Sequence, residues 1–315
     1  MLNDKEILII LDSNSLLHRA YHALPTLTTQ KGELVNAIYG FLLVLFKTIR
    51  EFEPDYIAAC FDTPQPTFRH KAFKEYKAKR PPTPEDLSSQ ISKLKEVLKT
   101  FNIQTFEKEG FEADDIIAAI ANLALQQKTS PKLETIVLSG DLDTLQLVDD
   151  YTKVYFLKKG VKETILYDKN RVRERYGISV PQLLDLKALI GDPSDNLPGV
   201  PGIGEKTASQ LIKQFNNLEN LYQKLPNQEK LKTKLLEFKE QVFLNKTLVK
   251  LDKDVAIEFN LKQCQRKEYN REKVIQLLKE LEFQSLINRL PEIEGKVQKK
   301  NNKEQETIKE NLRLW

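Results

Sequence analysis

Nine acidic residues fall at positions from which they can act together. Asp12 ends the apolar run 7–11, Asp62 follows the run 56–61, and Asp141 follows the run 135–138 after Ser139 and Gly140. Asp143 lies two residues beyond Asp141 and points the same way in an extended segment. Glu112, Asp114 and Asp115 crowd the start of a helical pattern, and Asp192 and Asp195 stand in the loop GDPSDNLPG. Each group alone has a plain structural reading: acids favour helix N-termini, and Asp suits turns. Gathered at one rim, so many carboxylates would repel and raise one another's pKa unless a cation compensated. Oxygen ligands with only three histidines in the chain select hard ions, Mg²⁺ with Mn²⁺ as substitute, and argue against zinc. A pair of such ions ~3.5–4 Å apart activates water and stabilises a leaving oxygen, so hydrolysis at phosphorus is the natural chemistry.

Two further stretches suit a phosphate-bearing polymer. FRHKAFKEYKAKR sets Arg69, Lys71, Lys74, Lys77, Lys79 and Arg80 among Phe68, Phe73 and Tyr76, before Pro81 and Pro82 forbid helix continuation. Cations bind phosphates and aromatics stack on exposed bases, whereas a solvated helix face is the plainer alternative. The stretch starts a few residues after Asp62 and so must emerge beside the acidic rim. LPGVPGIGEK carries Gly199, Gly202, Gly204 and Lys206 into the helical run TASQLIKQF. Tight glycine turns with a following helix N-terminus can offer N–H groups to a phosphate, and the segment resembles a helix–hairpin–helix element, which grips a duplex backbone without reading sequence.

The elements that must position these groups alternate. Buried-strand patterns at 7–11, 56–61 and 135–138 are separated by helical patterns at 37–51, 87–101 and 112–127, which predicts an α/β fold with a mostly parallel sheet flanked by helices. The carboxyl ends of such strands share one edge, where ligands bind. From about Val180 strand signals fade and helices at 181–190, 206–215 and 271–281 dominate. The expected division is an α/β domain over 1–179, including the basic stretch at about 68–84, a helical domain over 180–290, and a polar tail without fixed structure over 291–315. The 315 residues are 40% hydrophobic and 30% charged with a net charge of +4, as in a soluble globular protein. No apolar run approaches the ~20 residues that span a bilayer. Cys60 and Cys264 form no motif; with no signal-peptide pattern, a reducing cytosolic compartment is expected.

LDSNSLLHRAYHALP, CFDTPQPTFRHKAFKEYKAKRPPTPEDL, GFEADDIIAAIA, SGDLDTLQLV and GDPSDNLPGVPGIGEKTA together resemble the 5′ nuclease domain of bacterial DNA polymerase I, and more distantly the bacteriophage 5′ exonucleases and flap endonucleases. The resemblance covers roughly residues 5–290. It implies a PIN-like nuclease core with a helix–hairpin–helix domain, acting as a structure-specific 5′→3′ exonuclease and flap endonuclease. Asp62, Glu112 and Asp114 would lie nearer one ion, and Asp141, Asp143 and Asp192 nearer the other; Asp12, Asp115 and Asp195 complete the cluster. Lys77 and Arg80 match basic residues of the family's helical arch, here at about 68–84, and would contact the scissile phosphate region; the helical domain over 180–290 would bind DNA, and Tyr76 would stack on a base. The hairpin would hold duplex DNA and often carries K⁺ in the family. Implied partners are DNA with 5′ flaps, nicks or junctions, RNA/DNA primers and a DNA polymerase. The implied setting is primer and flap removal by a monomer in the nucleoid-bearing cytoplasm. The length leaves open a standalone nuclease or the N-terminal part of a longer chain.

No acidic motif position is missing, which counts against a non-catalytic protein that binds branched DNA. The hairpin and the basic stretch count against an RNA-cutting relative. A dinucleotide-binding fold would need a glycine fingerprint after the first strand, where LDSNS stands instead. His18, His22 and Ser13 show no triad spacing and are expected to pack or bond locally.

Overall fold

The computed structural model describes residues 5–127 and 132–291. Its elements run β1 (Glu6–Asp12), α1 (Ser13–Ala23), α2 (Asn36–Phe52), β2 (Tyr56–Cys60), α3 (Phe68–Ala72), α4 (Glu85–Thr100), β3 (Gln104–Phe106), α5 (Ala113–Leu125), β4 (Leu133–Ser139), β5 (Thr152–Lys159) and β6 (Glu163–Tyr167). They continue α6 (Lys169–Tyr176), α7 (Leu183–Ile190), β7 (Gly191–Asp192), β8 (Leu197–Pro198), α8 (Glu205–Phe215), α9 (Leu218–Lys224), α10 (Glu229–Glu237), α11 (Lys239–Val249), α12 (Arg271–Glu280) and α13 (Gln284–Ile287). The polar tail expected after 291 lies outside the described residues.

Six strands form the main sheet in the order β3-β2-β1-β4-β5-β6. All neighbours are parallel except β5 and β6, which are antiparallel. The expected α/β fold with its mostly parallel sheet is therefore present. From β1 the chain builds outward to β2 and β3, then returns to place β4 on the other side, so the strand order reverses between β1 and β4. A crevice opens at such a point outside the strands' carboxyl ends.

Helices cover both faces, which is why the strands read as continuous apolar runs. Alternation along β1 sends Leu8 and Ile10 to the face covered by α5, and Ile7, Ile9 and Leu11 to the face covered by α1, α2 and α4. Cys60 and Cys264 are free and buried in the first of these layers.

The last described elements return to the sheet. Arg266 N–H donates to the Asp55 carbonyl at 2.7 Å, and Val274, Leu278, Phe283 and Leu286 pack into the same apolar layer as α2 and α4. The Phe283 ring meets Tyr39 edge-on at 5.3 Å. Among the described residues no helix is long and apolar enough to cross a membrane.

Two points depart from the sequence reading. The basic stretch does not form an arch helix: α3 stops after five residues, and residues 74–79 continue as turns, with Lys77 at φ 56°. The glycine-rich region also carries a small antiparallel ladder, β7 on β8. There Gly191 adopts φ 74°, and a Cβ on Gly199 would lie 1.8 Å from the Ile190 carbonyl oxygen. Gly199 is thus required by close backbone packing rather than by an exposed N–H. Gly204, the N-cap of α8, has open space around it. Gly199→Ala is therefore expected to cost about 2–3 kcal/mol by overpacking, and Gly204→Ala less than ~1 kcal/mol. Denaturant midpoints check both; equal costs would show that the backbone approach at Gly199 is not tight.

Candidate active site

The β1/β4 crevice opens into a cavity of about 750 Å³. Eight carboxylates line it: Asp12, Asp62, Glu112, Asp114, Asp141, Asp143, Asp192 and Asp195. Each is delivered by a strand end or the turn after it, or by a helix start. Asp12 closes β1 and doubles as the N-cap of α1, accepting from Ser15 N–H at 3.1 Å; the Ser139 hydroxyl at the end of β4 donates to it at 2.5 Å. The same hydroxyl accepts from Asp141 N–H at 2.8 Å, so one serine ties the ends of β1 and β4 together. Asp62 accepts from Ala113 N–H at 2.7 Å and so binds the start of α5 to the end of β2. Asp141 in turn accepts from Asp143 N–H at 2.9 Å. Asp192 accepts from the Ser194 N–H at 2.8 Å and from its hydroxyl at 2.7 Å.

Charge within the cavity is poised against itself. Burial, with Asp141 and Asp62 nearby, pushes the Asp12 carboxyl up to about 7. Asp114 is driven well above the usual range by burial and by Asp12, Asp141, Asp62 and Glu112. Asp141 is raised by burial and by Asp192 and Asp195, against the pull of Lys187. At Asp192 burial is outweighed by the Ser194 bonds and Lys187, and its pKa is lowered.

Protein cations meet part of this negative charge. Lys77 Nζ lies 2.6 Å from Glu112 Oε1, and Arg80 Nη2 lies 2.6 Å from Asp195 Oδ1. Lys187, on α7, pairs with Asp143 and stands 3.7 Å from Asp192. Among the described residues no three acids are close enough, as they stand, to hold one metal ion. The donor set nevertheless fits hard divalent cations: all oxygen, negatively charged, partly desolvated and already drawing in positive groups.

Several expectations need correction. Asp115 does not line the cavity; it is fully buried and held by the two Nη atoms of Arg69 at 2.6 and 2.7 Å. Arg69, expected on DNA, is only 1% exposed and is taken up by that pair. Tyr76, expected to stack on a base, is buried; its hydroxyl donates to Asp195 at 2.8 Å and to Glu112 at 3.1 Å, and its ring meets His70 edge-on. Lys71, Lys74 and Lys206, expected on DNA, are exposed and lie with Gly199, Gly202 and Gly204 outside the cavity lining, where the expected grip on the duplex does not require them. His18 and His22, expected to pack or bond locally, also line the cavity, and burial lowers the His18 pKa.

Three contributors were missed. Lys187 sits in the apolar helical run LKALIGD, where a lone lysine four residues before a loop glycine was the available signal. Ser139 acts only through a contact across strands, which local spacing does not show. Arg19 lines the cavity and donates to the Gly140 carbonyl at 2.6 Å; its place in the first motif was visible, but its partner lies 121 residues away.

Likeness to known proteins gives the family. The family model "5′-3′ exonuclease, N-terminal resolvase-like domain" matches residues 7–177, and "5′-3′ exonuclease, C-terminal SAM fold" matches residues 178–272. The chain belongs to the 5′-3′ exonuclease family and is an enzyme of the nuclease class. It is 39% identical over 310 residues to DNA polymerase I of Bacillus subtilis (strain 168), a match covering 98% of this chain and 35% of that protein. The chain thus spans about a third of the length of the curated relatives it matches. Its fold resembles the bacteriophage T5 D15 flap endonuclease, solved with DNA and metal ions, at TM-score 0.63 and 25% identity over 78% of this chain and 90% of that one. The catalytic core of Rad2, solved with DNA substrate, aligns at TM-score 0.61 over 91% of this chain and 94% of that one; at 15% identity this is a likeness of fold alone.

Asp12 supplies a pH test. Between the ordinary Asp value of ~4 and its raised value of about 7, the folded chain keeps a proton that the unfolded chain has lost. Stability without metal therefore falls as pH rises through that window, by a few kcal/mol at most. Melting temperature in EDTA is expected to drop between about pH 5 and pH 7.5, and saturating Mg²⁺ to stabilise more at about pH 8 than at pH 6, because ligands bind metal deprotonated. A melting temperature flat across the window would rule out a strained carboxylate cluster.

Proposed function

We propose that this nuclease hydrolyses DNA phosphodiesters at 5′ ends, flaps, nicks and junctions by two-metal-ion catalysis, with Mg²⁺ as the working ion and Mn²⁺ as its substitute. The observation that carries the reading is the convergence of eight carboxylates with Lys77 and Arg80 on one cavity at the carboxyl edge of a parallel sheet. Asp62, Glu112 and Asp114 would hold one ion, and Asp141, Asp143 and Asp192 the other, with Asp12 and Asp195 supporting from beside them. The bound ions would supply an activated water and neutralise charge developing on the scissile phosphate.

The chain's own groups do the rest. Lys77, Arg80 and Lys187 sit within reach of the carboxylates that ions would claim. With those acids given over to ions, Lys77, Arg80 and Lys187 would stand beside the phosphate, where they would orient it and offset its charge. Arg19 lies on the same wall and can take a neighbouring phosphate. No side-chain nucleophile is called for. The exposed Lys206 and the hairpin around Gly202 and Gly204 would hold the duplex through its backbone; a K⁺ ion there belongs to the same reading and rests on the motif's likeness alone.

The proposed biological setting is removal of RNA primers and displaced flaps in replication and repair, as a monomer in the cytoplasm at the nucleoid and working beside a DNA polymerase. Its support is the match to polymerase I relatives and the DNA-bound structures of proteins with this fold.

A 5′-labelled flap substrate tests the reading. Mg²⁺ is expected to release the flap and EDTA to stop it. Asp141→Asn is expected to slow cleavage more than ~100-fold, since even outer-shell partners of a metal cost 10–100-fold, while the variant still retards the substrate on a gel. An intact flap under both Mg²⁺ and Mn²⁺ with tight binding would leave a DNA-binding protein instead.

A further inference from the structure

We propose that Arg69 is a positioning residue: with Asp115 it forms a buried clamp that fixes where Glu112 and Asp114 stand, and it acts without touching substrate. This rests on the metal-nuclease reading above and adds to it a residue that the sequence had placed on DNA.

The geometry accounts for nearly every donor of the guanidinium. Nη1 and Nη2 meet Asp115 at 2.6 and 2.7 Å in a forked pair. Nε donates to the Leu248 carbonyl at 2.7 Å, and Nη2 donates to that of Lys250 at 3.0 Å. Nη1 also stands 3.6 Å from Glu112 Oε2. The Phe68 ring closes over the group at 4.5 Å. Asp115 is equally engaged, accepting besides Arg69 the N–H groups of Glu112 at 3.2 Å and Asp252 at 2.9 Å. Four of the five guanidinium N–H groups are thus engaged, and the remaining one, on Nη1, has Glu112 as its nearby acceptor, so Arg69 borders the cavity with its charge already matched.

What the clamp joins gives its purpose. Asp115 caps the first turn of α5 by binding the backbone of Glu112, and Asp114 lies between the two. Orienting that backbone aims both cavity-facing carboxylates. Arg69 ties this turn to the end of α11, where Leu248 and Lys250 carbonyls would otherwise be among the orphans of a helix terminus, and to α3, from which the segment bearing Lys77 and Arg80 departs. Three separate parts of the wall are thereby held in one register. A shift of ~1 Å in such supporting groups is enough to cost ~100-fold in rate.

The test separates positioning from mere structure. Arg69→Met alone leaves Asp115 buried without its partner and is expected to lower the melting temperature. The double variant Arg69→Met/Asp115→Leu removes both charges together and is expected to recover most of it. Flap cleavage with purified full chain should then show kcat at least tenfold below wild type, a KM for DNA within threefold, and half-saturating Mg²⁺ raised at least threefold. Mn²⁺ affinity, followed by electron paramagnetic resonance without DNA, should weaken in step. Recovery of kcat and Mn²⁺ affinity along with melting temperature would overturn the proposal and leave a structural ion pair. A raised KM with unchanged kcat would overturn it in favour of direct DNA contact. If the double variant does not fold, Asp115→Asn, which keeps Arg69 hydrogen-bonded, carries the same expectations. Should the wild type cut nothing, the nuclease reading fails, and Mn²⁺ affinity alone decides whether the clamp positions the acids.

Discussion

Mutual repulsion of carboxylates at one sheet edge is the constraint around which the rest of this molecule is arranged. A carboxylate removed from water and faced by others of its kind is costly to ionise, and Asp12, Asp114 and Asp141 all register that cost in raised pKa values. Folding must still bring them together. The surrounding structure meets the cost with neutral donors where geometry allows, such as the Ser139 hydroxyl and the Ala113 amide. Where neutral donors do not suffice, it brings cations: Lys77, Arg80 and Lys187. Protein donors and cations thus meet part of the cost, and divalent ions would meet more of it.

The sheet makes the convergence possible with little chain. Because β1 and β4 are neighbours and the chain leaves them toward opposite sides, their ends and the loops that follow open onto one crevice. Asp12 and Ser139 stand 127 residues apart in sequence yet share a hydrogen bond there. The β7–β8 ladder adds a second fixed point, holding the 193–195 turn so that Asp192 and Asp195 face the same cavity from the helical side.

Sequence patterns carried the central sheet and most of the acids because both depend on local signals. An apolar run ending in Asp states both a strand and its functional end, and β1, β2 and β4 were legible on those terms. Strands β3, β5 and β6 were not read: β3 has three residues, and β5 and β6 mix charged and apolar positions as outer strands do. The acid-rich turn before α5 was legible as a cluster, but not which member faces inward. Asp114 and Asp115 are adjacent, so a helix turns them ~100° apart, and only the three-dimensional position of Arg69 decides that Asp115 is the buried one. The basic stretch misled for a related reason. Composition shows charge available for phosphate, while Arg69 and Tyr76 are drawn inward by partners remote in sequence, Asp115 and Asp195.

The same cations that balance the acids offer a physical basis for coupling between metal and substrate. As long as Lys77, Arg80 and Lys187 are bound to carboxylates, the cavity presents few free positive groups, and its net field repels a polyanion. On the proposed reading, each divalent ion replacing an ammonium or guanidinium would both add positive charge and free a donor for phosphate. Ion binding and DNA binding would then favour one another through a shared set of side chains, and linkage would make that favour reciprocal. The buried Arg69–Asp115 pair gives this exchange a fixed frame, because its two charges are matched to each other and the guanidinium is also held by the Leu248 and Lys250 carbonyls. Partly exposed Lys77 beside Glu112 and buried Arg69 behind it would let the site change its counter-ions without losing its shape.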